Sequence, residues 1–150
     1  MVRIFVLNGP NLNLLGQREP GQYGLRSLQD IMQELEQFAD SCGVALEHLQ
    51  TNSEGGMVDA IQQAGRREGD SGVDYIIINP AGYTHTSVAI RDALLAVEIP
   101  FIEVHLSAVS SREPFRQLTY FSDIALGVIS GFRGESYLLA MQAILNRIEP

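Results

Sequence analysis

The chain has no lysine: all ten basic residues among its 150 are arginines. That excludes an iminium-forming lysine, a pyridoxal phosphate Schiff base and the lysine of a P-loop. Any anion must be held by arginine, by backbone N–H groups or by helix N-termini. There is no tryptophan to stack on a flavin. The single cysteine, Cys42, has no partner for an internal disulfide. No apolar run reaches the length of a membrane span. The N-terminal MVRIFVLNGP lacks the extended apolar segment and small-residue cleavage site of a secretory signal. These absences lead us to expect a reducing, cytoplasmic setting. Positive charge is scarce as well. A formal net charge of -8 repels nucleic acid and anionic membranes, so neither is expected as a partner.

What is present reads as a globular domain. The hydrophobic fraction is 45% and the charged fraction 19%, and residues 1–150 are expected to form a single domain with a real core. Five short apolar runs read as strands: RIFVL (3–7), VALEHLQ (44–50), VDYIIIN (73–79), PFIEVHL (100–106) and IALGVIS (124–130). The third is apolar on both faces, as a central parallel strand must be. Between the runs lie helical patterns. Ser27 can cap LQDIMQELEQFADSC, and Gly43 can end it. MVDAIQQAGRRE, SVAIRDALLAV and SYLLAMQAILNRI read as three more helices, and SAVSSREPFRQLTYFSD as a loop with a short helix. Alternation of strands and helices predicts an α/β fold: a flavodoxin-like, five-stranded parallel sheet in the order 2-1-3-4-5, with helices on both faces. In such sheets ligands bind beyond the carboxyl ends of the strands. That places 8–24, 51–56, 79–85 and 105–116 on one rim.

The rim carries the polar residues that need explaining. NGPNLNLLGQREPGQYG (8–24) is too long for a tight turn and too rich in Gly, Pro and Asn for a helix. Asn8 and Asn13 read as connector residues that bond nearby backbone. Arg18 and Tyr23 do not. Tyrosine is a poor base unless a cation stabilises its anion, and an arginine in the same loop can supply that cation. After the third strand, Asn79 leaves the sheet, Thr84 or Thr86 can cap the next helix, and His85 lies at its start with Asp92 seven residues on. His85 and Asp92 read equally as site residues or as a helix cap and a solvated partner of Arg91.

In the fourth strand Glu103 and His105 are two apart and share a face. A carboxylate beside an imidazole fixes its tautomer and suits it to act as a general acid. Charge inside an apolar strand is costly, which favours function over a plain structural bond. Leu106 and Ser107 then offer N–H groups and a hydroxyl. Arg112 and Arg116 are four apart; Arg112 reads as part of an exposed Arg–Glu cluster, whereas Arg116 can hold a carboxylate or hydroxyl. His48, Cys42, Arg66 and Arg67 read as structural or solvated. No cluster has metal-ligand spacing, so no metal is expected.

Four motifs in order, NGPNLNLLGQREPGQYG, QTNSEGG, INPAGYTHTSVAIRDAL and EVHLS followed by REPFR, make the chain similar to the type II 3-dehydroquinate dehydratases over nearly its whole length. The resemblance implies a flavodoxin-like fold, dehydration of 3-dehydroquinate to 3-dehydroshikimate without cofactor or metal, and a homo-oligomer, a dodecamer built from trimers. It implies that Tyr23 is the base that removes the proton beside the ketone. Arg18 would favour the tyrosine anion, and Asn11 would position a water that stabilises the enolate. His105 would protonate the departing hydroxyl with Glu103 behind it. Asn79, His85, Leu106, Ser107 and Arg116 match substrate-binding positions, and Asp92 one that reaches a neighbouring subunit's site. The chain departs from the family's usual residues at Ser53, Ala108, Gln117, Arg133 and Ser136. A flavodoxin-like module that holds a flavin or nucleotide is the alternative, but the loops lack G-x-G-x-x-G. A phospho-receiver would need acidic residues after the first strand and a lysine near the last.

Overall fold

In the computed structural model, which describes residues 1–17, 21, 25–65 and 72–148, the five apolar runs become five parallel strands. They are β1 (Arg3–Asn8), β2 (Ala45–Gln50), β3 (Tyr75–Asn79), β4 (Phe101–His105) and β5 (Gly127–Ser130). Their order is β2-β1-β3-β4-β5, as the alternation implied. Among the described residues four longer helices connect or follow them: α1 (Leu28–Ser41), α2 (Glu54–Gly65), α3 (Val88–Val97) and α4 (Glu135–Ile148).

The three central strands, β1, β3 and β4, alternate their side chains between two cores, because successive Cβ atoms point to opposite faces of the sheet. Ile4, Val6, Ile77, Ile102 and Val104 pack on one face with Ile31, Leu35, Tyr137 and Met141 of α1 and α4. Phe5, Leu7, Ile76, Ile78 and Phe101 pack on the other with Met57, Ile61, Ile90 and Leu94 of α2 and α3, and with Phe121. This parity also decides which polar residues meet. Asn8 and Asn79 are register partners and follow Val6 and Ile77 onto the first face. Glu103 and His105 follow Phe101 onto the second.

The local signals acted largely as read. Ser27 caps α1 with a full capping box: its hydroxyl accepts the Asp30 N–H at 3.1 Å, and Asp30 accepts the Ser27 N–H. Gly43 takes the left-handed conformation that ends the helix, with φ 69°. Four elements differ from expectation. α2 begins at Glu54, because the Ser53 hydroxyl accepts the Gly56 N–H at 2.9 Å and starts the helix early. Ser87, not Thr84 or Thr86, caps α3 by accepting the Ile90 N–H at 3.0 Å. His85 therefore ends a separate 3-10 turn, Ala81–His85. β5 starts only at Gly127, since the Ile124 and Ala125 amides close a turn onto the Phe121 carbonyl. The 107–123 segment holds two 3-10 turns, Val109–Ser111 and Pro114–Gln117, in place of one short helix.

The C-terminal ends of β1 and β3 are joined by a buried polar tie. The Tyr137 hydroxyl donates to Asn8 Oδ1 at 2.6 Å and accepts from Asn79 Nδ2 at 3.0 Å. The Gly9 N–H donates to the Asn79 carbonyl at 2.8 Å. A Cβ on Gly9 would stand 2.7 Å from the Pro80 carbonyl oxygen, so only glycine permits this approach. Asn8 is thus a buried structural residue rather than a local connector. Tyr137→Phe takes the hydroxyl partner from Asn8 Oδ1 and Asn79 Nδ2 in the core. We expect it to lower stability by about 1–3 kcal/mol in urea denaturation, with little change in the folded spectrum.

Candidate active site

A cleft opens at the C-terminal edge of β1, β3 and β4. Three rim segments line it: Pro10–Leu12 after β1, Asn79–His85 after β3, and His105–Arg116 after β4. Asn11 enters the cleft in a left-handed conformation, φ 68°. Its N–H is held by Asn52 Oδ1 at 3.0 Å, and Gln50 Nε2 donates to the same oxygen at 3.1 Å. Asn79 is fixed from both ends of its amide: Nδ2 donates to Tyr137, and Oδ1 accepts the Ala81 N–H at 3.1 Å. Burial pushes the Tyr137 phenol up against the Asn79 hydrogen bond, so it stays neutral and serves only to hold.

The chemical centre lies at the end of β4. Glu103 is fully buried and His105 nearly so. His105 Nε2 donates to Glu103 Oε2 in a short contact. The same oxygen accepts the Thr84 hydroxyl at 2.7 Å, and Oε1 accepts the Ser122 hydroxyl at 2.8 Å. Burial pushes the Glu103 carboxyl up. The hydrogen bond and charge of His105, with the Thr84 and Ser122 hydroxyls, outweigh burial and hold the carboxyl below its ordinary value. Among the described residues no buried side-chain nitrogen or oxygen lacks a partner. The second imidazole nitrogen of His105, Nδ1, is therefore the one presented to the cleft that His105 lines.

His85 and two arginines line the opening. His85 Nδ1 donates to the Leu118 carbonyl at 2.6 Å, which turns Nε2 toward the cleft. Partial burial lowers the His85 pKa against the upward pull of Leu118, and the charges of His105 and Arg116 lower it further. At neutral pH it is an uncharged imidazole with an acceptor nitrogen. Arg116 is held by Glu113 and lies over the Phe115 ring at 5.1 Å. Arg112 donates to the Ser107 hydroxyl at 3.3 Å and lines the cleft. The reading of Arg112 as a surface residue is therefore corrected. The 3-10 turns bring Arg112 inward, where an exposed cluster was expected, beside Arg116, which was expected on the cleft. Arg91, in turn, pairs with Asp123 and not with Asp92.

The structure thus gathers Asn11, Asn79, His85, His105, Leu106, Ser107 and Arg116 on one cleft, with Glu103 directly behind. Asp92 is exposed on α3 and does not line the cleft. Arg18 and Tyr23 lie outside the described residues. Arg112, Thr84, Thr119 and Ser122 are the members that sequence reasoning missed. Arg112 carried a signal in its proximity to Arg116. The three hydroxyls carried none, because Ser and Thr near turns read first as caps. Among the described residues no group of three or more His, Cys, Asp or Glu side chains converges as a metal site.

The family described as Dehydroquinase class II matches residues 2–145. The chain is 56% identical over 147 residues to a 3-dehydroquinate dehydratase of Citrobacter koseri, covering 98% of this chain and 95% of the relative. It is 56% identical over 149 residues to 3-dehydroquinate dehydratase 1 of Pseudomonas aeruginosa, covering 99% of each. The crystal structure of a type II dehydroquinase from Butyrivibrio crossotus superposes with a TM-score of 0.91 at 39% identity, covering 96% of this chain and 97% of that one.

The depressed Glu103 carboxyl has a consequence for stability. A group whose folded pKa lies below its unfolded value contributes stability above that range and loses it as pH falls through the folded value. Glu103→Gln should cost about 3–5 kcal/mol at pH 7, since it breaks a buried pair. The gap between wild type and variant should close as pH falls below the ordinary carboxyl value of 4.5. Urea titrations of both proteins across that range measure it; a constant gap would show that the charge of Glu103 contributes nothing.

Proposed function

The chain belongs to the class II dehydroquinase family and catalyses the dehydration of 3-dehydroquinate to 3-dehydroshikimate, a reaction of the shikimate pathway; from that premise we propose how its residues divide the work. The observation that carries the proposal is the buried Glu103–His105 pair, whose free imidazole nitrogen opens on a cleft ringed by arginine.

The elimination needs a base for the proton beside the ketone and an acid for the hydroxyl that leaves. Tyr23, as phenolate, is the proposed base; Arg18 stabilises that anion. Both assignments rest on the family resemblance. The electrons of the broken C–H bond pass into the ketone as an enolate, stabilised through a water held by Asn11. The enolate then collapses and expels the hydroxyl. His105 supplies the proton that makes the leaving group water, while the Glu103 carboxylate faces the imidazolium that donates it. Leu106, Ser107 and Asn79 at the strand ends hold the substrate carboxylate, with the Arg112 cation beside Ser107. His85 and Arg116 bind ring hydroxyls. The route uses proton transfer alone and calls for no cofactor.

Purified protein mixed with 3-dehydroquinate should generate the ultraviolet absorbance of a conjugated enone. His105→Ala should lower turnover roughly 10²–10⁴-fold while the protein stays folded. Tyr23→Phe should abolish turnover and spare most substrate binding. If His105→Ala retains nearly full activity, the pair is structural and the assignment fails.

The proposal extends to assembly and place: a cytoplasmic homo-oligomer, a dodecamer of trimers, in which Asp92 reaches a neighbouring subunit's cleft. Its support is the exposed position of Asp92, away from its own chain's cleft, together with the family resemblance. Light scattering should report an assembly far larger than a monomer. A fully active monomer would refute the shared site.

A further inference from the structure

The Glu103 carboxylate receives a directed chain of hydrogens that begins well outside the cleft. Thr119 Oγ1 accepts the Phe121 and Ser122 N–H groups, each at 3.1 Å. Its lone pairs are thereby engaged, and its single hydrogen is left to donate. Ser122 Oγ lies 2.9 Å away and Glu103 Oε1 3.5 Å, so the hydrogen goes to Ser122. Ser122, already accepting, turns its own hydrogen onto Glu103 Oε1 at 2.8 Å. The other carboxylate oxygen receives Thr84 and His105. Every hydrogen in this network runs inward. A proton on Oε1 would force Ser122 to reverse onto Thr119, whose oxygen already takes two amides.

We propose that Ser122 is a positioning residue for the reaction: oriented by Thr119, its hydroxyl holds Glu103 as an acceptor-only carboxylate aimed at His105 Nε2, which leaves His105 Nδ1 as the nitrogen that delivers the proton in the cleft. Ser122 touches no substrate and acts through Glu103. Its turn is anchored from outside, since Arg91 on α3 donates to the Tyr120 carbonyl at 2.7 Å and pairs with Asp123. Among the described residues, the other charged or titratable groups around the Glu103–His105 pair are His85, Arg112 and Arg116 on the rim, with the Arg91–Asp123 pair on the far side of the turn. None donates to Glu103, so the hydroxyls and His105 alone set its acceptor state.

The proposal rests on the reading of His105 as the acid, and its test is read without substrate. The chain has three histidines, so ring ¹⁵N resonances can be assigned by substitution. The acid-side inflection on the His105 ring nitrogens reports protonation of Glu103; Glu103→Gln must remove it. A hydrogen bond to a charged group is worth about one pH unit or more. In Ser122→Ala the inflection should therefore move up by about that amount, and the acid limb of kcat should move with it. Ser122→Thr keeps the hydroxyl and should stay at the wild-type position. Coincident titrations of wild type and Ser122→Ala, or a Ser122→Thr displaced as far as Ser122→Ala, overturn the role. A wild-type protein that titrates as described but fails to turn over 3-dehydroquinate overturns the function reading instead.

Discussion

One buried negative charge organises the reactive end of this molecule. Glu103 sits on β4 with its side chain sealed from water. An unpaired carboxylate there would be destabilised by several kcal/mol. It is tolerated because its donors arrive from three separate stretches of chain: the 3-10 turn after β3 through Thr84, β4 itself through His105, and the turn before β5 through Ser122. Those stretches meet only when the sheet has its observed order. The same carboxylate that demands satisfaction fixes the tautomer of His105. Folding and proton delivery therefore draw on one set of bonds.

A second polar tie on the opposite face of the sheet complements the first. Tyr137 of α4 joins Asn8 and Asn79, the last residues of β1 and β3. It holds the cleft's floor at a fixed spacing, while the Glu103 network holds its reactive wall. Strand parity keeps the two networks apart: Asn8 and Asn79 point to the α1 and α4 side, and Glu103 and His105 to the α2 and α3 side. Both reach the cleft because parallel strands end together at one edge. The positive groups are different in kind. Arg112 and Arg116 stand on short turns at the rim, where a charge keeps its hydration until a ligand arrives.

Much of this was readable in the residues. Period-two and period-3.6 patterns marked the five strands and the four helices α1 to α4, and the lack of lysine excluded an iminium-forming residue and left anions to arginine, backbone N–H groups and helix N-termini. The Glu103–His105 pair could be inferred from two facts: residues two apart on a strand share a face, and charge in an apolar strand needs a partner. Boundaries failed where one hydroxyl outcompeted another, as when Ser87 capped α3 and released Thr84 to the carboxylate. Sequence cannot rank such competitors, because every Ser or Thr near a turn offers the same local bond.

The sequence by itself determined the alternation of elements, the fold class, the chemical type of the site and most of the residues on its rim, since each follows from local periodicity or from what a residue type can do. Tertiary structure alone decided that Arg112 faces the cleft, that Asn8 is bound to a tyrosine from the far end of the chain, and that Thr84, Thr119 and Ser122 converge on Glu103. Apart from the bond of Arg112 to Ser107, five residues away, these are contacts between residues distant in sequence. Whether they form depends on the crossing of the connections above the sheet, which no local pattern encodes.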